Sequence, residues 1–85
     1  MTRRVEYSRD AVRTLSRIDR KTAIRIRGKV DQLARDPDAL GNNVKALKGE
    51  PGLMRLRVGD WRVIYSEDGV VLLIVRVGSR GSAYD

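Results

Sequence analysis

The 85-residue chain carries 18 basic and 11 acidic side chains, a net charge of +7, and contains neither cysteine nor histidine. A chain of this length suits one domain, read here as residues 1–85. The missing residue types exclude a disulfide framework, thiolate metal ligation, an imidazole general base and every Ser-His-Asp arrangement. No segment has the length and apolarity of a helical membrane span and no apolar leader opens the sequence, so a cytoplasmic protein with no membrane contact is expected.

Charge is unevenly distributed. Residues 1–35 hold eleven basic and four acidic side chains, whereas residues 55–85 hold five basic side chains, all arginine. A small basic chain favours a polyanionic or acidic partner. Arginine in particular suits two-pronged contacts with phosphate.

Arg3 to Tyr7 reads as a short strand with Val5 and Tyr7 on one face. Ser8 is a helix N-cap with Asp10 in the first turn, and Ala11, Val12, Leu15 and Ile18 follow at helical spacing. Asp19 caps a second helix with an apolar stripe of Ala23, Ile26, Val30, Leu33 and Ala34, which Asp36-Pro37 ends. The pair predicts a helical hairpin. Its outward face is Arg9, Arg13, Arg17, Arg20, Lys21, Arg25, Arg27 and Lys29, a solvated helix face or a docking surface for RNA or an acidic protein. Asp36 to Gly52 is rich in turn formers and reads mostly as loop, with Lys45 and Lys48 ahead of Gly49.

Leu53–Val58 and Trp61–Ser66 then alternate around Gly59-Asp60, a two-residue hairpin signal. That turn sets Arg57 opposite Arg62 and puts Arg55 on the same face. Directly opposed like charges destabilise a sheet, so an anion is one reason to keep them and a solvated basic face is the other. Asp68-Gly69 is a second two-residue turn signal, Val70–Val77 reads as a central strand, and Gly78 to Asp85 reads as a polar tail. The same register sorts Met54, Leu56, Val58, Trp61, Val63, Tyr65, Leu72 and Ile74 onto one apolar face that should pack on the helices. Arg55, Arg57, Arg62, Ile64, Leu73 and Val75 fall on the other. A one-residue slip would exchange the two faces.

The acids are dispersed at caps and turns, and no glycine-rich phosphate loop occurs. Arginine-based chemistry remains: phosphate binding, stabilisation of charge on a phosphorane, and a tyrosine base whose pKa neighbouring cations depress.

KALKG (45–49), RLRVGDWRVIY (55–65) and VLLIVRVGSRGSAY (71–84), after a strand–helix–helix start, resemble the RelE-like toxins of the RelE/ParE toxin–antitoxin superfamily across nearly the whole chain. The resemblance implies an α+β fold: a strand, a helical hairpin, then a three-stranded antiparallel meander, with two helices packed on one face of a small sheet. It implies a metal-independent endoribonuclease that needs no cofactor. Such an enzyme cuts mRNA in the ribosomal A site by attack of the substrate's 2′-hydroxyl, leaving a 2′,3′-cyclic phosphate and inhibiting translation. The alternative within the superfamily is a ParE-type inhibitor of DNA gyrase that hydrolyses nothing.

Carried over residue by residue, the resemblance assigns catalytic roles to Arg55, Arg62, Arg80 and Tyr84. Arg62 and Arg80 would hold the phosphate and its transition state, Arg55 would balance charge near the nucleophile, and Tyr84 would be the base. Leu53 stands where some members carry a second basic residue, with Lys45, Lys48 and Arg57 as substitutes in RNA binding. A cognate antitoxin partner is also implied. The +7 charge suits an acidic or amphipathic antitoxin segment that folds on binding, through which operator DNA would be reached.

Overall fold

Two polar side chains start the helices. In the computed structural model, which describes residues 2–79, Ser8 Oγ accepts from the Ala11 amide at 3.0 Å and opens α1 (Arg9–Arg17). Asp19 Oδ2 accepts from the Thr22 amide at 3.1 Å and opens α2 (Arg20–Arg35). α2 ends at Asp36, ahead of Pro37, as expected of a residue before proline. All five residues of its predicted stripe are buried. On α1, Ala11 and Leu15 are buried, Ile18 packs on the core from the helix end, and Val12 is turned outward.

Strands β1 (Arg4–Tyr7), β2 (Val44–Ala46), β3 (Met54–Val58), β4 (Trp61–Glu67) and β5 (Val71–Ser79) form one sheet in the order β1-β5-β4-β3-β2. The predicted antiparallel meander is β3-β4-β5. β1 adds to it in parallel along β5, a pairing that needs a long crossover, which the helices supply. The fold class is therefore α+β, as expected, with a larger sheet.

Two details differ from the sequence expectation. The stretch read as loop contains a 3₁₀ helix, Pro37–Asn43, and the edge strand β2. Three residues are too few to show alternation, so β2 exists because the outer edge of β3 offers it partners. The second hairpin is also longer than two residues. Glu67 pairs with Leu72, and Asp68 Oδ1 accepts from the Val70 and Val71 amides at 2.9 and 2.8 Å. Those two bonds hold the Asp68 carboxyl below its ordinary pKa, so their contribution to the turn is present near neutrality and is lost on acidification.

Gly59 has φ +59° and no non-glycine residue among those described has positive φ, the pattern of a two-residue turn with glycine in first place. The predicted register follows: Val58 pairs with Trp61 and Arg57 with Arg62. Leu56, Val58, Val63, Tyr65, Leu72 and Ile74 are all buried in the core under the helices, with Met54 and Trp61 at its margin.

Candidate functional site: an arginine face on the sheet

The sheet face away from the helices collects the cations. Residues paired across neighbouring strands share a face. Lys45 pairs with Arg55, Arg55 with Ile64, Arg57 with Arg62, and Ile64 with Arg76. Lys45, Arg55, Arg57, Arg62 and Arg76 therefore stand together over β2 to β5. Lys48, in the turn after β2, is exposed. Lys45 stands directly across from Arg55 on β2.

Arg76 is the cation that period-two reasoning missed. Between Ile64↔Arg76 and Tyr65↔Ile74 the β5 strand carries one extra residue, Val75, a β-bulge. The bulge reverses the alternation beyond it. Val77 turns into the core, where it is 4% exposed, and Arg76 turns to the arginine face. Val75 is not a regular member of that face, contrary to the sequence expectation, for the same reason. The bulge is tied down from outside the sheet: Ser8 Oγ donates to the Val75 carbonyl at 2.5 Å while capping α1, and the Ser8 amide donates to the Ile74 carbonyl at 2.8 Å. Removing the hydroxyl deletes a cap and strands a half-buried carbonyl. Ser8→Ala is expected to lower unfolding free energy by about 1–2 kcal/mol, read from the urea midpoint at unchanged m-value.

The cations are not equally placed. Arg62 is the one buried charged residue among those described, 7% exposed, and its Nη1 donates to the Gly59 and Trp61 carbonyls, each at 3.2 Å. Those bonds fix the guanidinium over its own turn. Arg55 is half-buried, and its Nε is covered without a hydrogen-bond partner, a costly state unless an acceptor arrives. Arg57 is exposed. Ile64 is 1% exposed on the arginine face, flanked in register by Arg55 and Arg76. Charge reverses toward the far corner, where Arg4, Glu6, Ser66, Glu67 and Asp68 line an open depression of about 480 Å³. There Glu6 pairs with Arg4 at 3.0 Å, and Glu67 pairs with Arg3 at 3.1 Å.

Both described tyrosines are poor bases. Burial, with Glu67 adding to it against Arg3, pushes Tyr65 up to about 12. Burial also raises Tyr7 against the opposing pull of Arg27, whose guanidinium carbon lies 5.0 Å from the ring centroid. A buried neutral phenol that ionises freely once unfolded favours the unfolded state only above pH 10. Stability is thus expected to hold up to about pH 10 and to fall by about 2–3 kcal/mol toward pH 12. Tyr65→Phe should flatten that fall in alkaline denaturation followed by circular dichroism. Arg80 and Tyr84, assigned from the sequence, lie outside the described residues.

A family model for the ParE toxin of type II toxin–antitoxin systems, parDE, matches residues 5–84. The chain belongs to the RelE/ParE toxin superfamily. The fold agrees with solved RelE structures. One is the archaeal RelE–RelB complex from Pyrococcus horikoshii OT3, with 32% identity, 98% of this chain and 100% of that chain covered, and a TM-score of 0.79. The RelBE2 toxin–antitoxin complex from Mycobacterium tuberculosis, at 24% identity over 94% and 100% of the two chains, has a TM-score of 0.80. A mutant of E. coli toxin RelE in the free state, at 16% identity over 98% and 88%, has a TM-score of 0.78. No curated protein matches the sequence. Within the superfamily fold, the arginine face is what distinguishes one side of this sheet from the other.

Proposed function

We propose that this RelE/ParE-type toxin is an endoribonuclease that cuts mRNA in the ribosomal A site without a metal ion, and so inhibits translation. The observation that carries the reading is the near-buried Arg62 guanidinium, held over its turn in a field of like charges on one sheet face. Such a group costs stability and repays it on an anion. In the reaction the substrate's 2′-oxygen bonds to the adjacent phosphorus while the bond to the 5′-oxygen breaks, giving a 2′,3′-cyclic phosphate. The 2′-hydroxyl proton passes to a base and another reaches the departing 5′-oxygen.

Arg62 and Arg80 balance the charge that grows on the equatorial oxygens, and Arg55, with its uncommitted Nε, sits at the nucleophile side. Tyr84 is assigned as base. The raised pKa of Tyr7 and Tyr65 leaves neither described tyrosine fit for that role. Lys45, Lys48, Arg57 and Arg76 hold the flanking phosphates. Primer extension on translating ribosomes with the purified chain should map a break within the A-site codon. An intact transcript beside folded protein would overturn the reading.

A second reading rests on the family model that matches, which is named for ParE: inhibition of DNA gyrase by binding alone. Loss of supercoiling at low protein concentration, with mRNA left whole, would establish it instead. On either reading we propose a cognate antitoxin in the same cytoplasm, since the similar Pyrococcus horikoshii RelE was solved with RelB. An acidic or amphipathic segment suits a chain of net charge +7.

A further inference from the structure

A second cluster of cations lies at the edge of the sheet, beside the arginine face. β2 pairs with β3 only as far as Leu56, so beyond that residue the edge of β3 is not covered by a strand. Over this opening is a cavity of about 150 Å³ walled by Arg25 and Lys29 of α2, Arg57 of β3 and Asn43 at the end of the 3₁₀ helix, on an apolar floor that includes Leu56. No carboxylate lines it. None of the three cations is in an ion pair among the described residues. Arg25 and Lys29 are one helical turn apart, a spacing at which like charges repel. Arg25 Nη1 also lies 3.4 Å from where a side chain on Gly59 would begin, so the guanidinium rests against a turn that glycine keeps bare.

We propose that this cavity is a phosphate-binding subsite that holds one phosphodiester of an RNA strand continuing off the arginine face, a proposal that rests on the ribonuclease reading. Arg57 belongs to both places: it faces Arg62 across the hairpin and it walls the cavity. The far corner carries Glu6, Glu67 and Asp68, with Glu6 paired to Arg4 and Glu67 to Arg3, so it offers a polyanion no net cationic pull. A strand leaving Arg62 is therefore steered toward β3 and α2 rather than toward β1. The cavity is small, polar at its rim and closed below by core side chains, which fits a single tetrahedral oxyanion. The fork of Arg25 and the ammonium of Lys29 supply donors from one side and Arg57 from the other.

Fluorescence anisotropy with 2′-O-methyl RNA, which cannot be cut by its own 2′-oxygen, tests the subsite. A trinucleotide centred on Arg62 carries few flanking phosphodiesters, whereas an octanucleotide with the same centre carries further ones that can enter the cavity. R25Q/K29Q is expected to weaken the octanucleotide about tenfold and to reduce its salt slope by about 0.7, the value for one single-strand phosphate. The trinucleotide should bind unchanged and the melting temperature should not fall, and R25K/K29R should bind the octanucleotide like the wild type. If the double variant weakens both lengths equally, or neither, the subsite is wrong while the ribonuclease reading stands on wild-type cleavage. If it spares RNA and weakens a poly-glutamate peptide, the cavity serves a protein partner and the proposal is overturned. Wild-type protein that neither cuts mRNA nor binds either RNA would remove the ribonuclease reading and the subsite with it.

Discussion

Arg62→Ala is expected to lower the rate of A-site mRNA cleavage by about 10²–10³-fold, the loss typical when a donor to a developing oxyanion is removed. Its side chain is 7% exposed and already spends two hydrogen bonds on the Gly59 and Trp61 carbonyls. The guanidinium is therefore held in place before RNA arrives, and little ordering cost falls due in the transition state. Arg62→Lys keeps the charge but cannot reproduce the fork or both carbonyl contacts, so it should recover only a small part of the rate. Arg57→Ala, which removes an exposed charge, should act on RNA affinity and its salt dependence, with the rate at saturating ribosome nearly intact. Single-turnover cleavage over a ribosome titration separates the two effects. Equal losses for Arg62→Ala and Arg57→Ala in the saturated rate would contradict the division of roles.

The hairpin that organises this site was legible because it obeys local rules. Gly59 in first place specifies the turn, the turn specifies that Arg57 meets Arg62, and alternation carries the faces outward from there. The caps at Ser8 and Asp19 and the stripe of α2 were legible on the same terms. Arg76 was not, because its orientation depends on an extra residue in β5 that pays no visible toll in VLLIVRV, where every position is apolar until the arginine itself. The tie from Ser8 to the Val75 carbonyl, a contact 67 positions apart in sequence, holds the bulge from outside the strand. β2 was hidden for a related reason. Its partner is β3, and nothing within Val44–Ala46 alone announces a strand. The anion cavity likewise joins α2 to the β3 edge, so its cations looked from the sequence like unrelated members of a solvated helix and a strand.

Leu56→Ala should lower activity by a different route, through the folded fraction. Leu56 is 0% exposed in the core, lies between Arg55 and Arg57 in the chain, and forms part of the cavity floor. Truncating a fully buried leucine costs about 2–5 kcal/mol. A domain of this size has roughly 5–10 kcal/mol in all, so the variant is left near the limit of stability. At about 4–8 °C per kcal/mol, its melting temperature should fall by at least about 8 °C. The arginines on the opposite face keep their register in whatever fraction remains folded, because β3 is still paired on both sides. Cleavage per folded molecule should then match the wild type, while total activity tracks the folded fraction measured by circular dichroism. Excess 2′-O-methyl RNA, which binds only the folded form, should raise the melting temperature of Leu56→Ala and of Arg62→Ala alike, because the remaining cations of the face still hold it. The two variants thus separate the face proposed to perform the chemistry from a core that holds the face in place. A Leu56→Ala protein that is well folded yet inactive would show that the side chain beneath the arginines sets their geometry directly.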